Sequence, residues 1–340
     1  MTRPGALGPT GPAPDCICIH AGHGKTGSSY IQSSLALSQE RLAEQGLFYP
    51  IGAEDRARAG AGHINEGNLV PGPGRTLHPK GSFRRFACRA APLPGPGKTL
   101  LVSNENIFRS IAEAGFLDEA RAVYPRARLR VLLFIRDPFE HAVSAYQQNV
   151  KRQGRADSFS DFLPGYRMPA AVLAALHATN AAGAELVVRN YSRHKRALVE
   201  CVEDWLGLAR GALLRPRARR VNRSLTRAEL ELQRAFNRSF GKASSRFISD
   251  VLCNELPDIT PEPPHATHEA LAEFLERMRA LTAPVNALLP RAEHYHIESL
   301  AALCAQMPSE AQARSLHLTP AQIRVLAHSL SARIKAARPG

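Results

Sequence analysis

Nothing in this chain of 340 residues approaches the roughly 18 consecutive apolar positions that a bilayer span requires. Apolar candidates such as Cys16 to His20 and Val131 to Ile135 have the length of strands, so the chain is not expected to span a membrane. The opening stretch Met1 to Asp15 lacks the apolar segment of a signal peptide and carries Pro and Gly instead, so it reads as a flexible tail on a cytoplasmic protein. The six cysteines, at 16, 18, 88, 201, 253 and 304, include no C-x-x-C pair and no Cys/His zinc spacing. That argues against a disulfide framework or a metal site, and buried free thiols are the expectation. Aromatics are sparse at 6%. Internal repeats are absent.

Acidic residues are also short: 30 Asp and Glu stand against 44 Lys and Arg, a net charge of +14. The excess is local. Residues 121 to 155 hold eight basic residues and two acids, and residues 189 to 223 hold ten and three, which together account for 13 of the 14 charges. Clustering of this kind favours an anionic partner or solvated Arg-rich faces. No nucleic-acid motif appears in those windows, so nucleic acid is not the expected ligand. Steep salt dependence of binding to random oligonucleotide would revive that reading.

What is present is a chain that is 44% apolar, long enough for one large α/β domain or two smaller ones. Cys16 to His20 reads as a strand, Ala21 to Lys25 as a turn and Ser28 to Ala43 as a helix. Further strands are expected at Leu47 to Pro50, Thr99 to Ser103, Leu129 to Ile135 and Ala184 to Val188, with a helical stretch between the third and fourth. That alternation predicts a central parallel sheet of about five strands flanked by helices. Residues 51 to 98 are a long excursion rich in Gly, Pro and Arg, with one short helix at Ser82 to Ala90. A helix from Asp137 to about Arg152 follows the fourth strand, and only helical segments follow the fifth. The expected organisation is a tail at 1–15, an α/β core at 16–240 and a helical C-terminal extension at 241–340.

The turn His20-Ala-Gly-His-Gly-Lys-Thr-Gly-Ser-Ser29 joins a strand to a helix, so its backbone N–H groups and the positive helix end can converge on an anion. Gly22, Gly24 and Gly27 permit close approach, and Lys25 with the hydroxyls of Thr26, Ser28 and Ser29 adds charge and donors. A nucleoside-triphosphate loop of the form G-x-x-x-x-G-K-[ST] would place its first glycine at position 19, which is Ile. A kinase or NTPase remains the nearest enzymatic alternative.

Lys25-Thr-Gly-Ser-Ser29 instead resembles the 5′-phosphosulfate loop of the sulfotransferases that use 3′-phosphoadenosine 5′-phosphosulfate (PAPS), K-[ST]-G-[ST]-[ST] before an aromatic or aliphatic residue, here Tyr30. Arg136 and Ser144, eight positions apart after the fourth strand, resemble that family's 3′-phosphate motif. The stretch Val187-Val-Arg-Asn-Tyr191 is similar to bacterial members. Arg219 and Arg220 lie in a basic loop where the family brings cations over the 3′-phosphate, although its R-K-G pattern is absent.

The resemblance covers about residues 16 to 240. It implies a P-loop-like sulfotransferase fold, transfer of a sulfuryl group from PAPS with release of the bisphosphate PAP, and no metal. Lys25 would steady the leaving group. Either His63 or Glu105 would act as general base, the second because it follows the third strand. His20 and His23 would pack or hydrogen-bond the loop. The acceptor, a hydroxyl or amine on a carbohydrate, lipid-linked sugar or small molecule, is left open, with the basic surface hinting at an anionic glycan. Oligomeric state is left open too.

Overall fold

The structure, a computed structural model, describes residues 12–62, 67–69, 82–90, 98–105, 107–216, 223–307 and 315–337. The chain forms two compact units: the first comprises Met1–Asp137, Met168–Ala218 and Pro284–Tyr295, and the second Pro138–Arg167, Arg219–Ala283 and His296–Gly340.

The first unit is built on a five-stranded, wholly parallel sheet: β1 (Cys16–Gly22), β2 (Leu47–Phe48), β3 (Thr99–Ser103), β4 (Arg128–Ile135) and β5 (Glu185–Asn190), in the order β2-β3-β1-β4-β5. All five expected strands form, flanked by helices. Every residue of β1 is buried, because it lies in the middle of the sheet with both faces covered. One face carries Ile17, Ile19, Val102, Val131 and Leu133 against Phe108 and Phe116; the other carries Cys18, Leu101, Leu132 and Phe134 against Ile31, Leu35 and Trp205.

Chain order and strand order reverse at β1. The chain leaves it first for β2 and β3 on one side and then for β4 and β5 on the other. That topology opens a crevice at the carboxyl ends of the central strands, where open α/β sheets bind ligands.

The helix expected from Ser28 to Ala43 is two helices, α1 (Ser28–Leu37) and α2 (Gln39–Glu44). Between them Ser38 Oγ donates to the Ser34 carbonyl at 2.8 Å and accepts from the Leu214 N–H at 2.7 Å. A side chain that bonds the carbonyl four residues back while taking an outside donor bends a helix. The excursion contributes α3 (Ala53–Gly60) and α4 (Ser82–Ala90).

Among the described residues of the second unit, every regular element is a helix. Helix Pro138–Gln153 is the one expected after β4. Its aromatic core sets Phe139, Tyr146 and Phe159 in contact, with Phe274 against Phe139. Arg223 forms two 2.7 Å hydrogen bonds to the Glu229 carboxylate, both residues buried, and Lys151 Nζ donates to the Arg223 carbonyl at 2.8 Å. Arg223, at the end of the second basic window, is thus committed to internal structure. Arg219 and Arg220, and likewise His63, lie outside the described residues.

Candidate functional site

The turn from β1 to α1 is folded by three close approaches. A Cβ at Gly22 would overlap Ser28 Oγ, so the first residue of α1 is tucked back over the end of the strand. Gly24, Lys25 and Gly27 all have positive φ, at 75°, 53° and 81°. Left-handed residues alternating with right-handed ones are the backbone geometry of an anion nest, and this loop supplies three left-handed positions within four residues. A Cβ at Gly27 would stand 2.5 Å from Leu198 Cδ1 and 3.1 Å from the Tyr191 ring, so only glycine allows that lid of side chains to close on the loop.

Lys25 is the one non-glycine residue with positive φ among those described. Holding a lysine there costs on the order of 1–3 kcal/mol and needs a brace. Arg136 supplies it. Placed directly after β4, its Nη1 donates to the Lys25 carbonyl at 3.0 Å, while its guanidinium lies 5.0 Å from the centre of the Tyr191 ring, the first residue after β5. The carboxyl ends of β1, β4 and β5 therefore converge on one loop.

Gly27 caps α1 with no side-chain hydrogen bond, and the first turn holds no acidic residue. The N–H groups of that turn and the helix dipole present positive charge, and no acidic residue of the turn itself neutralises it. Ser29 is exposed, Lys25 is half-buried, Ser28 is buried, and Thr26 is wholly buried with no partner for its hydroxyl among the described residues.

Glu105 comes to the same loop from β3: its Oε2 lies 3.8 Å from where a Cβ on Gly24 would stand. His20 Nδ1 is 2.8 Å from Ser103 Oγ, and His23 Nδ1 is 3.2 Å from the Gly24 carbonyl, with its ring edge-on to Phe108. Burial pushes both imidazoles down to about 4, so each is neutral at pH 7. Neither supplies charge to the loop.

Of the residues expected at the site, Gly24, Lys25, Thr26, Gly27, Ser28, Ser29, Glu105 and Arg136 are brought together in the first unit. Ser144 is half-buried on helix Pro138–Gln153 of the second unit. Trp205 is core. The lid residue Leu198 carried no sequence signal, because its meeting with Gly27 depends on a contact 171 positions away along the chain.

No protein-family model matches the chain, and no curated protein matches it. Among solved structures it is similar to a retinol dehydratase in complex with androsterone and inactive cofactor PAP, at 11% identity and a TM-score of 0.28, over 97% of this chain and 83% of that one. A likeness at that score carries no argument. The functional reading therefore stands on the loop and its surroundings.

Proposed function

We propose that the protein is a sulfotransferase that moves a sulfuryl group from PAPS to a hydroxyl or amine acceptor, releasing PAP. The observation that carries this reading is the loop after β1. It combines three residues at positive φ, a lysine just before a helix start that has no side-chain cap, and an arginine fastened to the lysine's own carbonyl. The glycines leave the room a phosphate needs, and the buried Thr26 hydroxyl supplies a further donor at the loop's base.

In the reaction the acceptor oxygen forms a bond to sulfur as the bond between sulfur and the 5′-phosphate oxygen breaks. The acceptor's proton passes to a base and the electron pair stays on the departing phosphate. Lys25 and the N–H groups at the start of α1 would take up the charge growing on that oxygen. Gly24, Thr26, Gly27, Ser28 and Ser29 would hold the 5′-phosphate. Arg136 with Ser144, and Arg219 with Arg220, would serve the 3′-phosphate. Glu105 beside Gly24 is one candidate base and His63 the other.

Thermal unfolding with PAP, with Mg-ADP and with neither tests the reading. A ligand at 100 times its Kd adds about 2.7 kcal/mol to stability and moves the midpoint visibly. PAP alone should raise it. A rise only with Mg-ADP would replace the reading with a kinase or NTPase, and silence from both would leave a binding or scaffold role.

A further inference from the structure

A cavity of about 420 Å³ lies in the first unit where the excursion folds over β2, within the size range of small-ligand sites. Phe48 and Ile51 from the β2 side and Phe86 from α4 give it apolar walls; Asp55 of α3 and Arg89 of α4 give it one carboxylate and one guanidinium. Among the described residues neither Asp55 nor Arg89 has an ion-pair partner, and both are exposed.

Asn68 also lines the cavity and is fastened to β3. Its Nδ2 donates to the Leu101 carbonyl at 2.9 Å, its Oδ1 accepts from the Ser103 N–H at 2.9 Å, and its own N–H donates to the Ser103 carbonyl at 3.1 Å. Gly67 comes so close to that carbonyl that a Cβ there would collide with it. This clamp ties the cavity to the candidate transfer site. Ser103 pairs with His20 across one strand spacing of about 4.8 Å, and two residues on from Ser103 is Glu105, beside Gly24 of the phosphate loop.

We infer that this cavity is the acceptor site, and that it takes an uncharged ring bearing several hydroxyls, a neutral sugar unit, in preference to a polyanion. The inference rests on the sulfotransferase reading and names its substrate class. Aromatic and aliphatic walls cover the apolar face of such a ring, while a carboxylate and a guanidinium accept from and donate to neighbouring hydroxyls. One negative and one positive group leave no net charge among the described polar lining. An anionic ring would give up its hydration for no net electrostatic gain, because the Asp55 carboxylate opposes what Arg89 offers, so it is the weaker ligand. The +14 of the whole chain does not extend to this lining.

The test is saturation-transfer NMR and calorimetry on the full chain with phenyl β-glucoside, phenyl β-glucuronide, phenol and maltohexaose, alongside PAP. Phenyl β-glucoside or maltohexaose should bind. Whichever of the two binds more tightly tells a small glycoside from a neutral glycan chain as the source of the sugar. Phenyl β-glucuronide should bind about tenfold more weakly than the glucoside. Asp55→Ala and Arg89→Ala should each weaken neutral-sugar binding about tenfold, the loss of a hydrogen bond to a charged group, with PAP affinity kept.

Equal or tighter binding of the glucuronide, phenol binding as well as its glucoside, or variants that bind sugar normally would overturn the inference. So would silence from both neutral sugars while PAP binds, which leaves the donor reading intact. Sugar bound without any response to PAP would instead sink the donor reading and keep the cavity as a sugar site.

Discussion

Replacing Arg136 with Ala separates two tasks that one guanidinium can perform at this site. It removes the 3.0 Å hydrogen bond to the Lys25 carbonyl and the contact with the Tyr191 ring. A hydrogen bond from a charged donor contributes about 1.5–3 kcal/mol and a half-buried cation–π contact about 1 kcal/mol. Their sum is comparable to the roughly 1–3 kcal/mol needed to keep Lys25 at positive φ, so the loop loses its brace and relaxes. About 2 kcal/mol of lost preorganisation lowers phosphate affinity about 30-fold, since 1.4 kcal/mol is tenfold. The discriminating assay is calorimetric titration of AMP beside PAP. A residue that serves only the 3′-phosphate would leave AMP untouched, whereas a brace for the 5′-phosphate loop costs AMP its affinity as well. Lys25→Gly relieves the backbone strain, so Arg136→Ala should cost AMP much less in that background than in the parent. Unchanged AMP binding by Arg136→Ala, or strictly additive effects in the double variant, would refute the bracing argument.

Lys25→Ala should cut sulfuryl transfer by about 10²- to 10³-fold, as loss of a single charge-stabilising donor does, with the urea midpoint nearly unchanged. Wild-type turnover would remove Lys25 from the chemistry. Glu105→Gln and His63→Ala, assayed for transfer from PAPS, should differ sharply, with the base losing at least about 10²-fold and its rival much less; two normal rates would leave neither as base. Gly67→Ala should lower the unfolding midpoint, because the clash is with the Ser103 backbone and φ is 91°, together worth about 2–4 kcal/mol; a midpoint like wild type would show that the Asn68 clamp is not tight. His20 and His23, held near 4 when folded against 6.5 when free, stay neutral in the native state while the unfolded chain takes up protons below about pH 6.5. Their contribution is whole above pH 6.5 and lost as pH falls toward 4, about 2 kcal/mol per histidine by pH 5. Urea titrations of His20→Asn at pH 7 and 5 should show a correspondingly smaller drop, and an identical drop would mean that His20 is charged when folded.

The parts of the site that could be read in advance are those written within a short stretch of chain. The strand at 16, the glycines, Lys25 and the helix start at 28 lie inside twenty residues, and their chemistry depends on local backbone direction more than on packing. Glu105 was legible for a related reason, since any residue just after a parallel strand arrives at the ligand-bearing edge. The central place of β1 was not legible, because strand order is set by pairings such as His20 with Ser103 and with Leu132, far apart in sequence. Nor was the break at Ser38, where a donor from Leu214 competes with helix propensity.

The same distinction explains why the donor half of the proposed reaction shows in the sequence and the acceptor half does not. A phosphate is bound by backbone N–H groups, so its site needs a particular chain path, and that path demands glycines at fixed positions such as 22, 24 and 27. A neutral ring is bound by side-chain faces that any of several residue types can supply. Phe48, Asp55 and Arg89 come from three separate elements and share no spacing. Asn68, which lines the same cavity, is held on β3 by one amide bonded to two backbone groups, which no periodicity announces. A change at Asn68 should therefore reach acceptor binding before it reaches the phosphate loop, since the loop keeps its own brace through Arg136.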